Sequence, residues 1–272
     1  MTVNRRNFVL GSMAAAAALA HSPAGEAEAQ NRSQSQKPNV IIYHSDQFRW
    51  DFVGANGLNS STHTPNLDAL AARGKNFTCA VTDQPVCAPS RSVLFASRYA
   101  TETGVWHNDL GLNPDLPTLA TEFRKAGYTA NYIGKWHLAP GSKTGGGPGY
   151  VPPEHRGGFL DLWEAANAIE ITSHPYEGTI WDGEGKEIHY QGEYRVDFLT
   201  DRAERFLRQK QEKPFLLVLS QLEPHQQNDM HRMVGPNGSA QRFINAHVPP
   251  DLRAFPGDWH EQLPDYYGCE LS

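Results

Sequence analysis

The chain has 272 residues and carries 24 Lys and Arg against 30 Asp and Glu, which gives a formal net charge of −6. This length is sufficient for one large domain with an ordinary core. The acidic balance argues against a broad basic face that grips nucleic acid, so any anion must be held locally. The three cysteines, Cys79, Cys87 and Cys269, contain no CxxC pair and are too few for a disulfide scaffold. Cys87 therefore needs an explanation of its own.

The N-terminus has the pattern of an export signal. Arg5-Arg6 precede an apolar stretch over residues 8–20, and small residues lead to Ala29. This pattern predicts a twin-arginine-type signal over residues 1–29, followed by a polar tether over 30–37. The apolar stretch is too short to span a bilayer, so we expect no stable membrane span. The sequence thus predicts a periplasmic or secreted protein that engages the twin-arginine export machinery and binds no nucleic acid.

From Pro38 onward, strand and helix patterns alternate. Apolar, β-branched runs predict strands over residues 39–45, 128–134 and 214–220. Amphipathic patterns predict helices over 63–74, 117–127 and 194–213. Such repeated units predict one α/β domain over residues 38–272, with a mostly parallel sheet sandwiched by helices.

The helical segments carry start, stop and face signals. In the first, Thr64 can cap the helix, and Leu67, Leu70 and Ala71 share one face. The second is stopped by Gly127. The apolar face of the third is formed by Val196, Leu199, Ala203 and Phe206.

Polar side chains follow each predicted strand, where ligands of parallel sheets bind. Asp46 and Gln47 follow the first strand, Lys135 and His137 the second, and His225 the third. Because alternate residues of extended backbone point the same way, Lys135 and His137 can face one pocket while the intervening tryptophan packs behind. A single histidine such as His225 is more often a hydrogen-bonded residue of the core than a functional group. Here, however, all three predicted strands are followed by such polar residues, which favours a common site.

Cys87 heads the segment "CAPSRSVLFA", which has the pattern of a helix start. Pro89 suits the first turn, where Ser90 can hydrogen-bond, so free N–H groups and the positive end of the helix dipole face Cys87. Such an end favours an anion, and Arg91 can project to the same side. The alternatives are a buried structural cysteine, and a thiolate phosphatase, against which the short spacing to Arg91 argues.

These motifs resemble those of the type I sulfatases in the alkaline-phosphatase-like superfamily. "CAPSR" matches the C-x-P-S-R core of that family, and "GYTANYIGKWHL" is similar to its second signature. "PNVIIYHSDQ", "TPNLDALAARG" and "PFLLVLSQLEPH" resemble its first strand, first helix and histidine-bearing strand. The similarity runs from about Pro38 to the end of the chain. An alkaline-phosphatase-like fold is therefore expected.

The resemblance implies hydrolysis of organic sulfate monoesters to alcohol and inorganic sulfate. In the family a formylglycine-generating enzyme oxidises the cysteine that corresponds to Cys87, and one hydroxyl of the hydrated aldehyde attacks sulfur. The second hydroxyl then allows sulfate to be expelled from the covalent half-ester. By the same implication Arg91 stabilises the hydrate, Lys135 and His225 hold the sulfate and help protonate the leaving oxygen, and His137 assists release of sulfate.

The resemblance also implies a divalent metal, with calcium favoured by hard oxygen donors. Its ligands would be Asp46, Gln47 and the modified Cys87, and Asn108 falls where related hydrolases contact the transferred group. Many sulfatases carry two aspartates after the first strand, whereas this chain has Ser45 before its single aspartate, so one metal ligand is either missing or replaced by Gln47.

Other departures lie outside the reactive core. Ala96-Ser97 stand where the first signature usually ends Thr-Gly, and Ala130 stands where Ser or Thr is usual. The final "LPDYYGCELS" is similar to the start of a helix that, in the family, precedes further metal ligands and a lysine. We therefore expect residues 38–272 to be an incomplete catalytic domain, truncated at the C-terminus, and the chain as written to be inactive.

Three other functions stay open. They are a phosphate or phosphonate monoester hydrolase on the same scaffold, a non-catalytic anion-binding protein, and a cytosolic thiol enzyme. The expected substrate is a sulfated small molecule or a sulfated carbohydrate. Loops over residues 157–193 are candidates for specificity, and Trp163, His174 and Trp181 could stack on sugars there.

Overall fold

The structure is a computed structural model that describes residues 37–58, 62–142, 146–230, 233–242 and 245. The chain divides into two compact units, Met1–Pro38 and Asn39–Ser272, and nearly all described residues belong to the second. The predicted export signal, most of the tether, Cys269 and the segment "LPDYYGCELS" lie outside the described residues.

The described residues form seven strands and six α-helices. The strands are β1 (Val40–Ser45), β2 (Thr129–Lys135), β3 (Trp163–Ala166), β4 (Ser173–His174), β5 (Glu177–Asp182), β6 (Glu187–Gln191) and β7 (Phe215–Gln221). The helices are α1 (Pro65–Arg73), α2 (Cys87–Ala96), α3 (Ala100–Thr103), α4 (Leu119–Lys125), α5 (Ile169–Thr172) and α6 (Arg195–Arg208).

The strands make one mixed sheet in the order β1-β7-β2-β3-β5-β4, with β6 paired to β5. β1, β7, β2 and β3 run parallel, which confirms the predicted parallel sheet for this half. β4, β5 and β6 are antiparallel additions. The expectation of loops over residues 157–193 is wrong, because that stretch contains β3 to β6 and α5.

Helices cover both faces of the parallel strands. Alternate residues of β2 and β7 enter two different apolar clusters, since side chains alternate across a strand. Tyr132 and Val218 pack with α2 and α4, whereas Ile133 and Leu217 pack with α6. The predicted sandwich of helices around the sheet is therefore confirmed.

α6 and α1 differ in how far their predicted faces are buried. α6 buries the predicted face, with Phe198 in addition and Val196 only partly covered. The predicted helix is present as α1, but none of its residues is buried, and Leu70 is 60% exposed. Thr64 makes no side-chain cap and instead accepts from Gly54 N–H at 2.8 Å.

An aromatic cluster fills the core behind the carboxyl end of β2. Trp136 is fully buried there, as predicted, and its ring lies edge-on to Tyr132 at a centroid distance of 5.1 Å. Trp163 stacks on Tyr132 at 5.3 Å and is 1% exposed. Trp181 packs against the α6 cluster. Trp163 is enclosed by the core, so its predicted role in stacking on sugars is wrong, whereas Trp181 is partly exposed and its predicted role stays a prediction.

Among the helices of the described residues, none combines the length and apolar character that crossing a membrane requires.

Candidate active site

The carboxyl ends of β1, β2 and β7 bring the predicted site residues together at one edge of the sheet. Asp46 follows β1, Lys135 ends β2 and His225 lies four residues beyond β7. β2 and β7 approach closely at this edge: Gly134 has φ +106°, and a Cβ on it would lie 2.0 Å from the carbonyl oxygen of Ser220. Only glycine fits there, so the backbone places Lys135 directly beside β7.

α2 begins at Cys87, as the sequence predicted. The residue before it, Val86, makes no side-chain cap, but the N–H of Ala88 donates to Asn108 Oδ1 at 3.0 Å. Asn108 also lines the cavity in front of Cys87. The structure thus brings Asn108 to the site and gives its side chain a second task, since it satisfies a free N–H of the helix start.

Cys87 lies between two basic side chains. Its Sγ is 3.7 Å from Lys135 Nζ and 3.9 Å from His225 Nε2. Burial alone would raise the pKa of the thiol, but the Lys135 ammonium and a hydrogen bond from His137 outweigh burial and lower it. Position 87 is therefore a point at which negative charge is stabilised.

Arg91 is buried beneath this point, with 2% of its side chain exposed. It pairs with Asp46 Oδ2 at 3.0 Å and donates to the carbonyl of Lys135 at 2.7 Å and to Ser220 Oγ at 3.0 Å. These contacts engage Arg91 with protein groups at the ends of three strands. Arg91 thereby ties the ends of β1, β2 and β7 to α2.

Lys135 is fully buried between two carboxylates. Its Nζ lies 3.0 Å from Asp46 Oδ2 and 2.8 Å from Glu170 Oε1. Burial would lower the pKa of Lys135, but Glu170 and Asp46 together raise it above its ordinary value. Burial raises the pKa of both carboxyl groups, yet Lys135 dominates: the pKa of Asp46 falls well below its usual range, and that of Glu170 falls to about 2. All three groups are charged at neutral pH.

The two histidines approach position 87 from different sides. His225 Nδ1 lies 2.6 Å from the carbonyl oxygen of Gln226, which can only accept, so the proton resides on Nδ1 and Nε2 faces Cys87. Burial and Lys135 lower the pKa of His225. The backbone of His137 has a left-handed φ of 57°, and its backbone N–H donates to the carbonyl of Asn167 at 2.7 Å. The ring nitrogen Nδ1 of His137 is 3.9 Å from Glu170 Oε1.

Asp46, Cys87 and His225 present ligand atoms within 4.8 Å of one another, which makes them a candidate metal site among the described residues. Gln47, predicted as a ligand, lines the same cavity in a left-handed conformation with φ 55°. The carboxylate of Asp46 and the amide oxygen of Gln47 are hard donors of the kind that calcium and magnesium take. This donor set fits one side of the coordination sphere of a divalent cation.

A cavity of about 520 Å³ opens in front of Cys87. Sequence reasoning missed one charged residue that lines it, Glu170. The signal was present: "WEAA" is a short strand, and Glu170 lies just beyond its carboxyl end, where the rule applied to the other strands would have placed it.

Comparison with known proteins agrees with this architecture. The family model "Sulfatase" matches residues 38–267. An ulvan-active sulfatase of Formosa agariphila is 33% identical over 249 residues, which are 88% of this chain and 45% of that protein. The crystal structure of yidJ from Bacteroides fragilis superimposes with a TM-score of 0.69 at 25% identity, over 87% of this chain and 57% of that one.

A further solved structure, of a protein in complex with its substrate D-glucosamine-2-N,6-O-disulfate, has a TM-score of 0.57 at 27% identity and covers 70% of this chain and 35% of that one.

The mixed sheet with covering helices and the cysteine-headed helix at its carboxyl edge define a protein of the alkaline-phosphatase-like superfamily. Within that superfamily, the chain belongs to the sulfatase family. It spans less than half the length of the Formosa relative.

Proposed function

We propose that this protein hydrolyses organic sulfate monoesters at Cys87 after conversion of that residue to formylglycine by a formylglycine-generating enzyme. The observation that carries the proposal is the position of Cys87 at the start of α2, with Lys135 Nζ at 3.7 Å and His225 Nε2 at 3.9 Å. Two basic groups and a helix start converge on one atom, which suits a tetrahedral anion bound to it.

Residue 87 supplies the nucleophile in this proposal. When formylglycine is present, its hydrated aldehyde provides a hydroxyl for attack on sulfur and a second hydroxyl that allows sulfate to leave. Asp46, Gln47 and residue 87 would hold a divalent metal, most simply Ca²⁺, which lowers the pKa of a bound hydroxyl. Arg91 acts from below, because its bonds to Asp46 and to the end of β2 fix the groups that surround position 87.

Lys135 and His225 hold the sulfate group. Lys135 stays protonated in its buried position, so it offers a permanent positive charge to the sulfate oxygens. A bound anion raises the pKa of a neighbouring histidine, which favours a proton on His225 Nε2 for donation to the leaving oxygen. His137, which helps to lower the pKa of the thiol at position 87, assists the release of sulfate. Asn108 contacts the transferred group from the rim of the cavity.

The substrate class proposed is a sulfated carbohydrate. One relative is named as active on ulvan, and another was solved with a disulfated glucosamine as its substrate. The predicted export signal over residues 1–29 supports action in the periplasm or outside the cell, where the twin-arginine machinery would deliver the folded protein.

The test is paired turnover of 4-nitrophenyl sulfate and 4-nitrophenyl phosphate by a form of the protein extended to the length of its sulfatase relatives and produced with a formylglycine-generating enzyme and calcium, because the 272-residue chain alone is expected to be inactive. We expect the sulfate ester to be the better substrate, and Cys87→Ala to abolish its turnover. Preference for the phosphate ester would instead make the protein a phosphate monoester hydrolase on the same scaffold. Equal turnover by Cys87→Ala would refute the role of residue 87. Arg124→Met, at a half-exposed ion pair with Asp161, is the matched control.

A further inference from the structure

A buried carboxylate, Glu170, lies against the site and has no part in the proposed reaction. It lies in the first turn of α5, and it is 6% exposed. Oε1 lies 2.8 Å from Lys135 Nζ, and Oε2 is buried without a hydrogen-bond partner among the described residues. Burial of a carboxylate is costly unless its charge is compensated, so its position requires an explanation.

We propose that Glu170 is a positioning residue that fixes the ammonium group of Lys135, an inference that rests on the sulfate-holding role proposed for Lys135. An ammonium has three N–H donors. Asp46 Oδ2 at 3.0 Å and Glu170 Oε1 at 2.8 Å each take one of them. The third is then directed at residue 87, whose Sγ lies 3.7 Å from Nζ. With either carboxylate absent, the ammonium is free to rotate away.

Glu170 serves Lys135 more exclusively than Asp46 does. Asp46 Oδ2 is shared with Arg91, at 3.0 Å. Described ion pairs of Glu170 involve Lys135 and, at the longer distance of 3.9 Å, His137. The four charges of Arg91, Lys135, Asp46 and Glu170 balance, and loss of Glu170 would leave two buried cations against one carboxylate.

The backbone of Glu170 is held by a hydrogen bond from the segment that follows His225. Gln227 Nε2 donates to the backbone carbonyl of Glu170 at 2.8 Å, and Arg195 donates to Gln227 Oε1 at 3.2 Å. Arg195 is 1% exposed and also pairs with Glu223 at 2.7 Å, so this support is buried. The arrangement sets the distance between the carboxylate and Lys135 by contacts that do not depend on substrate.

Glu170 also faces the second predicted proton-transfer group. His137 Nδ1 is buried without a hydrogen-bond partner among the residues described, and it lies 3.9 Å from Glu170 Oε1. The carboxylate thus lies on the Nδ1 side of the imidazole ring and favours a proton on that nitrogen. Glu170 therefore orients both residues that β2 delivers to the site.

A double-mutant cycle tests whether Glu170 acts through Lys135. Glu170→Gln, Lys135→Ala and the double variant are compared in kcat/KM for 4-nitrophenyl sulfate, all in the same extended form of the protein. We expect Glu170→Gln to lower kcat/KM on the order of 10–100-fold, as loss of an orienting partner commonly does, and to have little further effect once Lys135 is alanine. Equal losses in both backgrounds would overturn the proposal. Glu164→Gln, a half-buried carboxylate paired with Arg202 outside the cavity, is the matched control and should retain full activity.

A second readout is independent of activity. In ¹⁵N-labelled protein, the buried and hydrogen-bonded ammonium of Lys135 should give a protected NH₃⁺ signal, assigned by its loss in Lys135→Ala. We expect this signal to broaden or vanish in Glu170→Gln and to survive in Glu164→Gln. An unchanged signal in Glu170→Gln would refute the positioning role. If the wild type hydrolyses neither ester, the proposed function fails while this spectrum still decides the role of Glu170. Glu170→Asp keeps the charge but shortens the side chain, so its Lys135 signal should be intermediate between those of the wild type and Glu170→Gln. This variant replaces Glu170→Gln in the test if Glu170→Gln does not fold.

Discussion

Replacement of Arg91 by methionine should destabilise the protein far more than loss of a surface charge. Methionine keeps much of the apolar volume but removes the ion pair with Asp46 Oδ2 and the donors to Ser220 Oγ and the Lys135 carbonyl. Loss of one partner of a buried pair costs about 3–5 kcal/mol. Because Asp46 keeps its second cation, Lys135, we take the lower end and expect the free energy of unfolding to fall by about 3 kcal/mol.

The assay is urea unfolding of the wild type, Arg91→Met and the control Arg124→Met, followed by tryptophan fluorescence. Arg124 pairs with Asp161 at the surface, with 37% of its side chain exposed, so its loss should cost under about 1 kcal/mol. Equal effects of the two substitutions, or a loss below about 1 kcal/mol for Arg91→Met, would show that Arg91 does not tie the strand ends to α2.

Three further predictions concern other parts of the molecule. Lys135 lowers the pKa of Glu170 from 4.5 to about 2. The wild type should therefore be more stable than Glu170→Gln by on the order of 3 kcal/mol above pH 4.5, and this advantage should fade as the pH falls towards 2. A difference in the free energy of unfolding that stays constant over this range would contradict the assignment. Gly134→Ala, whose Cβ would meet a carbonyl oxygen at 2.0 Å, should lose more than about 3 kcal/mol in urea unfolding. Gly127→Ala, which has open space but φ +87°, should lose only about 1–2 kcal/mol, and a similar loss at both glycines would refute the steric argument. Conversion of both Arg5 and Arg6 to lysine should retain the protein in the cytoplasm, and recovery of that variant from the periplasm would rule out the proposed export route.

The parallel half of the sheet could be predicted because its strands have a clear sequence pattern. β7 and β2 are buried on both faces and therefore appear as continuous apolar runs, followed directly by polar residues. The topology of a parallel sheet then brings Asp46, Lys135 and His225 together without any knowledge of side-chain contacts. Cys87 could be placed at a helix start because Pro89 and Ser90 suit the first turn and an apolar run follows them.

The antiparallel strands could not be predicted in the same way. β3, β4, β5 and β6 are between two and six residues long and lie in a segment rich in glycine and charged residues, so their periodicity is too short to distinguish from loops. Glu170 was missed for this reason, because its place beside the site follows only once β3 is recognised as a strand. The buried role of Trp163 was hidden in the same way.

What covers the apolar face of α1 could not be predicted from the sequence of the helix. Its pattern of Leu67, Leu70 and Ala71 indicates an apolar face correctly, but no described residue of this helix is buried. Periodicity shows which residues share a face, and it does not show what covers that face.

Mass spectrometry of the Cys87 peptide, taken from a preparation that turns over 4-nitrophenyl sulfate, tests the central claim most directly. The account predicts that the thiol is replaced by an aldehyde in proportion to activity, and that protein made without a formylglycine-generating enzyme retains the thiol and is inactive. An active preparation in which the peptide contains only cysteine would contradict it.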